Sequence, residues 1–233
     1  MPSSQLVFDF ECRPALEAQD FLVTPCNHEA VAWIDEWPNW SSPAFVIHGP
    51  SGCGKSHLAQ VFLARTSGVR VSSLQLLEKE PRALLSGARA CLLDDVDGAF
   101  TQGNKDALEE ALLHLYNTLK EYGSTMMITA KSPPSRWGMS LADLSSRLKT
   151  ATLAEIRPPD DALLAAILVK QFSDRQLSID SEVVAFVQTR IERSFRALGQ
   201  FVATADKMAL AQKSRISIPL MRLVLEKLDE TNQ

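Results

Sequence analysis

A chain of 233 residues, 45% apolar and 22% charged, has the composition of a globular protein and the length for one large domain or two unequal ones. Its net charge of −4 disfavours a free-standing reader of duplex DNA, which needs a Lys/Arg-dense stripe because phosphate contacts dominate affinity. No apolar run approaches the roughly 20 residues of a membrane span, and no basic segment leading into an apolar stretch opens the chain, so the expectation is a cytoplasmic protein with neither membrane contact nor signal peptide.

In chain order, the first feature is QLVFDF, residues 5–10, set between a polar MPSS and the charged ECRPALEAQD. When extended, it puts Leu6, Phe8 and Phe10 on one face and Val7 and Asp9 on the other. That alternation suits a strand of the chain's own sheet. It suits equally a peptide for a partner's apolar pockets, with Gln5 hydrogen-bonding at the rim. Five short apolar or β-branched runs follow: AFVIHG (44–49), VRVSS (69–73), ACLLDD (90–95), STMMITA (124–130) and ATLAEI (151–156). Between them lie segments of helical period, including KSHLAQVFLART (55–66) and KDALEEALLHLYNTLKEYG (105–123), where Leu108, Leu112, Leu115 and Leu119 share one face. Strands alternating with helices predict a parallel sheet covered on both faces. After Pro158-Pro159 the remaining segments all read as helices, with Asp160 and Asp180 as N-caps. The resulting division is a tail over 1–20, an α/β domain over 21–157 and a small all-helical domain over 158–233. Cys12, Cys26, Cys53 and Cys91 have no metal-ligand or CxxC spacing and read as reduced thiols, mostly packed.

GPSGCGKS (49–56) matches the phosphate-loop pattern G-x-x-x-x-G-K-[ST], directly after a predicted strand and before a predicted helix. Gly49, Gly52 and Gly54 free the backbone N–H groups of Ser51, Cys53 and their neighbours to curl around a phosphate at a helix N-terminus. Proline has no N–H, so Pro50 contributes shape alone. Lys55 would reach the β- and γ-phosphates and Ser56 would ligate Mg²⁺. The apolar run ACLLDD ends in two acids: Asp94 for the Mg²⁺ shell and Asp95 to polarise an attacking water. Asp97 reads as a surface residue. Thr129, ending the fourth strand, is placed to sense a γ-phosphate from between the two motif strands. Arg147, in DLSSRL before the fifth strand, can supply transition-state charge to a neighbouring subunit's nucleotide. Arg193, in RIERSFRAL, would start a helix directed at the nucleotide.

Together, FVIHGPSGCGKSHL (with His57 after the Ser), LLDDVD, ITAKSPP, LSSRL and RSFRAL resemble the AAA+ proteins, and within them DnaA and its shortened relatives, over about 20–228. The resemblance implies a P-loop AAA+ fold with a five-stranded parallel sheet sandwiched by helices, a helical lid, and bound ADP or ATP with Mg²⁺. It makes DFLVTPCNHEA (20–30) similar to a segment packing on adenine, with Phe21, Leu22, Val23 and Asn27 as base or ribose contacts. DnaA carries a helicase-contacting N-terminal domain and a helix-turn-helix reader of the origin. This sequence has about 20 residues before the AAA+ segment and stops at LVLEKLDETNQ, which makes it more similar to the Hda-type regulators, particularly those of alphaproteobacteria. In that family an N-terminal peptide binds the DNA polymerase sliding clamp (its beta subunit), and Gln5, Leu6, Phe8 and Phe10 fit its pattern. The implied function is regulation of replication initiation by stimulating hydrolysis of ATP on DnaA, with DnaA and the clamp as partners, a homo-oligomer as a further assembly and no direct sequence-specific DNA binding. The alternative is an oligomerising AAA+ ATPase acting as a helicase loader or initiation factor.

Overall fold

The computed structural model describes residues 12–13, 21–100 and 104–231, which divide into two compact units, one ending at Arg157 and one running from Pro158. The first unit opens with a two-stranded antiparallel ribbon, β1 (Cys12–Arg13) and β2 (Phe21–Leu22), in which Cys12 pairs with Leu22 and Arg13 with Phe21. Cys12 and Arg13, which fall in the expected tail, are thus paired strand.

The five anticipated strands form one parallel sheet. They are β3 (Ala44–His48), β4 (Val69–Val71), β5 (Ala90–Leu93), β6 (Thr125–Ala130) and β7 (Thr152–Glu155), in spatial order β4-β5-β6-β3-β7. The period of two sorts side chains between two cores. Ala44, Val46, Cys91, Leu93, Met126 and Ile128 enter one cluster, and Phe45, Ile47, Ala90, Leu92 and Met127 enter the other. Both faces are buried, which is why these strands read as continuous apolar runs. On the first face lies α6 (Lys105–Glu121), with Leu108, Leu112, Leu115 and Leu119 all buried. Against the second face pack α1 (His28–Asp35) and α2 (Lys55–Thr66), through Ala30, Ile34, Leu58 and Phe62.

The run VRVSS stops as strand at Val71, because Ser72 caps α3 (Ser73–Glu78) in a capping box with Gln75. Two further short helices, α4 (Pro81–Leu85) and α5 (Val96–Ala99), flank β5, and α7 (Ala142–Lys149) precedes β7. The N-terminus of α7 is held from below by Glu109. This carboxylate is 1% exposed and accepts hydrogen bonds from the N–H groups of Ser140 (2.9 Å) and Leu141 (2.6 Å).

The second unit consists of α8 (Asp161–Ser173), α9 (Ser181–Gln188), α10 (Phe195–Gln212) and α11 (Ile218–Thr231) around one core that includes Leu164, Phe172, Val187, Phe201 and Met221. Asp160 caps α8 by accepting from Leu163 N–H at 2.8 Å. Asp180 occupies the corresponding position before α9, but its side chain makes no capping hydrogen bond.

Candidate nucleotide site

The loop over 49–54 leaves the C-terminal end of β3 and feeds α2, the arrangement in which backbone N–H groups and a helix terminus converge on one point. Gly49 has no substitute here. A Cβ at this position would lie 2.2 Å from the Ile156 carbonyl oxygen and 3.1 Å from Cys53 Sγ. Gly54, with φ +102°, makes the left-handed turn into the helix. Lys55 is buried, and its ammonium donates to the carbonyls of Gly49 (2.7 Å) and Pro50 (2.8 Å), so the loop itself holds the cation in its mouth. Burial pushes the Cys53 thiol pKa up, against the pull of Lys55, and keeps it protonated. Ser51 and Ser56 are exposed, while Gly52 and His57 are half-buried. Desolvation lowers the pKa of His57 and favours the neutral imidazole.

Asp94 follows β5, and Thr129 lies in β6 beside it. The buried Thr129 hydroxyl donates to Asp94 Oδ1 at 2.5 Å and accepts from Asp95 N–H at 2.9 Å, tying both acids to the strand next to β3. Asp95 sits in the left-handed region, φ +55°, with an exposed side chain. The other oxygen of Asp94 accepts from Arg70 of β4 at 2.8 Å. Among the described residues no three His, Cys, Asp or Glu side chains gather as a metal cage. Two carboxylates beside a phosphate loop and an exposed Ser56 hydroxyl instead fit Mg²⁺, which takes few protein ligands and completes its shell with phosphates and water.

Asp97 corrects the surface expectation. Its Oδ2 accepts from the backbone N–H groups of Lys131 (2.8 Å) and Ser132 (3.1 Å), pinning the loop after β6, and its Oδ1 is buried without a partner. That loop helps to line a cavity of about 400 Å³ with Glu29, His48, Pro50, Lys131, Arg136 and Glu155. Burial lowers the pKa of His48, and the opposing pull of Glu155, its register partner, is smaller.

The remaining candidates are placed less uniformly. Asn27 is buried with its Oδ1 accepting from Thr24 N–H at 2.9 Å, so the side chain shapes the segment before α1; Val23 is half-buried. Phe21 and Leu22 are described as strand only, and Gln5, Leu6, Phe8 and Phe10 lie outside the described residues. Arg147 is on α7. Asp143 accepts from its Nε (2.8 Å) and Nη2 (3.0 Å), Asn117 Oδ1 accepts from Nη1 (2.7 Å), and the guanidinium lies 5.5 Å from the Tyr116 ring centre. This contact holds the Asp143 carboxyl below the usual range. Arg193 does not start a helix. It lies before Ser194, the N-cap of α10, and pairs with Asp161 at 3.0 Å; the first-turn arginine of α10 is the exposed Arg196, which the Ser-Phe-Arg spacing after the cap could have indicated.

Residues 160–225 match the family described as "Hda, lid domain". The chain is 25% identical over 256 residues to the chromosomal replication initiator protein DnaA of Clavibacter sepedonicus, covering all of this chain and 53% of that protein. Its fold overlays domain III of DnaA from Thermotoga maritima with a TM-score of 0.73 at 20% identity, covering 89% of this chain and 94% of the other. It also overlays AMPPCP-bound DnaA from Aquifex aeolicus at 0.67 and 21% identity, covering 82% and 63% respectively. These likenesses give the chain a DnaA-like AAA+ fold, with an Hda-type lid over residues 160–225. It spans about half the length of the Clavibacter DnaA. In this DnaA-like chain the phosphate loop, the two acids and Thr129 share one end of the sheet, whereas Arg147 stands on a separate helix. No described helix is long and apolar enough to cross a membrane.

Proposed function

We propose that this DnaA-like protein is a nucleotide-binding regulator of chromosomal replication initiation that stimulates hydrolysis of ATP on DnaA together with the sliding clamp. The observation that carries the reading is a phosphate loop after β3 beside paired acids tied to Thr129 of the adjacent β6, in a chain whose remaining unit matches the Hda lid over residues 160–225. ADP or ATP binds over residues 49–57, with Lys55 moving from the loop carbonyls to the phosphates. Ser56 and Asp94 would hold a Mg²⁺, which would supply positive charge to the phosphates. Asp95 orients water, and Thr129 keeps both acids in place.

Arg147 acts on the partner. Docked beside ATP-bound DnaA, its guanidinium supplies positive charge to the transferring phosphoryl group, the role of an arginine finger. Gln5, Leu6, Phe8 and Phe10 tether the complex to a clamp on DNA. Such a tether converts an encounter into a near-intramolecular event, with effective concentrations reaching ~mM.

The test is the turnover of ATP pre-bound to DnaA, with this protein added in the presence and absence of clamp-loaded DNA. Stimulation that requires the clamp, and that disappears when Gln5, Leu6 and Phe8 are replaced by Ala, is the expected outcome. Equal turnover with and without clamp removes the tether from the reading. Absence of stimulation under all conditions removes the regulator itself.

A further inference from the structure

Asp94 already has a cation. Arg70, the middle residue of β4, pairs in register with Leu92, two residues before Asp94. From this neighbouring strand its Nη1 donates to Asp94 Oδ2 at 2.8 Å, while Thr129 occupies Oδ1. The Asp94 side chain is 23% exposed and that of Arg70 48%. The pair therefore lies at the rim of the site, with the carboxylate inside and the guanidinium free to swing toward solvent.

We propose that Arg70 is a built-in counter-cation for Asp94, and that it sets how strongly nucleotide binding depends on Mg²⁺. The inference rests on the reading of Asp94 as part of a nucleotide–Mg²⁺ site and deepens it.

The argument is electrostatic. A bare carboxylate next to a phosphate cradle repels the phosphates, and a divalent cation relieves that repulsion, which couples metal binding to nucleotide binding. Arg70 relieves part of the repulsion in advance. The wild-type site accordingly binds nucleotide with a modest metal dependence, and the Mg²⁺ that does bind meets a carboxylate whose field is already partly cancelled. Unit charges a few ångströms apart near a protein surface change a binding constant by about ten- to a hundred-fold, and the exposure of Arg70 sets its effect at the lower end. A simple stabilising role for the pair is the weaker account, since exposed ion pairs contribute little to stability. Arg70 also reaches the one acid that the motif places at the metal.

The experiment measures the dissociation constant of a fluorescent ADP for the full-length protein, once in excess EDTA and once in saturating Mg²⁺. The ratio of the two values is compared among wild type, Arg70→Gln, Asp94→Asn and the double variant. Arg70→Gln is expected to raise the ratio about tenfold, mainly by weakening binding in EDTA. Arg70→Lys, which keeps the charge, restores much of the wild-type ratio. In the Asp94→Asn background Arg70→Gln has no effect on the ratio, because the charge that Arg70 offsets is gone. If Arg70→Gln leaves the ratio unchanged while Asp94→Asn alters it, the counter-cation role is wrong and the metal-site reading stands. If Asp94→Asn also leaves the ratio unchanged, the metal-site reading falls and the inference with it.

Discussion

Lys55 and Arg147 are both cations with their donors engaged inside the chain, yet they are held in opposite ways. Lys55 is buried and gripped by backbone carbonyls of its own loop, and the loop's path is set by glycine and by the close approach of Ile156. Arg147 is half-buried on α7 and is gripped by side chains, namely Asp143, Asn117 and the Tyr116 ring. A site built from backbone changes little when surrounding side chains vary, and fails when the backbone path is blocked. A site built from side chains is graded, because each partner can be removed by itself. The proposed division of labour follows this contrast: retaining nucleotide is the rigid half, and acting on a partner is the adjustable half.

The contrast can be broken or sharpened at four places. Gly49→Ala forces a Cβ to within 2.2 Å of a carbonyl oxygen, so nucleotide affinity is expected to fall at least about a hundredfold in a fluorescent-nucleotide titration while the fold persists. Retained affinity would show the loop to be more pliable than the contrast requires. Glu109→Ala strips the Ser140 and Leu141 N–H groups at the start of α7 of their buried acceptor, and stability is expected to drop by about 3 kcal/mol in urea unfolding. Glu109→Gln, which keeps an acceptor, loses less. Asp143→Ala frees the guanidinium of Arg147 from its side-on partner. Maximal stimulation of DnaA-bound ATP hydrolysis is then expected to fall about three- to tenfold, with the half-maximal concentration unchanged. A matching shift in that concentration would instead make Asp143 a docking contact. The smallest effect concerns His57. Its folded pKa lies below the ordinary 6.5, so the unfolded chain binds the proton more readily; stability is full above pH 6.5 and declines as the pH drops through that value toward the folded pKa. His57→Gln should flatten that decline by less than about 1 kcal/mol, as followed by thermal unfolding at stepped pH.

What was legible in the sequence was whatever a local pattern encodes. Unbroken apolar runs such as FVI, LL and MMI mark strands buried on both faces, the Leu108–Leu119 spacing marks α6, and the phosphate loop is one contiguous string between a strand and a helix. What escaped depends on side chains meeting across distant segments. Arg70 sits 24 positions before Asp94, and no spacing rule connects them. Asp97 reads as a surface residue because its partners, Lys131 and Ser132, come from the loop beyond the next strand. Glu109 reads as an ordinary acid on an amphipathic helix, and only the loop above it explains its burial. Arg193 reads as the start of a helix because the cap, Ser194, puts the first turn only two residues further on. In each case the chemistry of the residue was readable and its partner was not.

The central claim is that Arg147 acts on ATP held by another protein. Its direct test compares wild type with Arg147→Ala in the turnover of DnaA-bound ATP on clamp-loaded DNA, with binding of fluorescent ADP measured in parallel. The account predicts a loss of stimulation of about a thousandfold or more, down to the unstimulated rate where the assay reaches it, with ADP affinity unchanged. Stimulation by Arg147→Ala equal to that of wild type would contradict it.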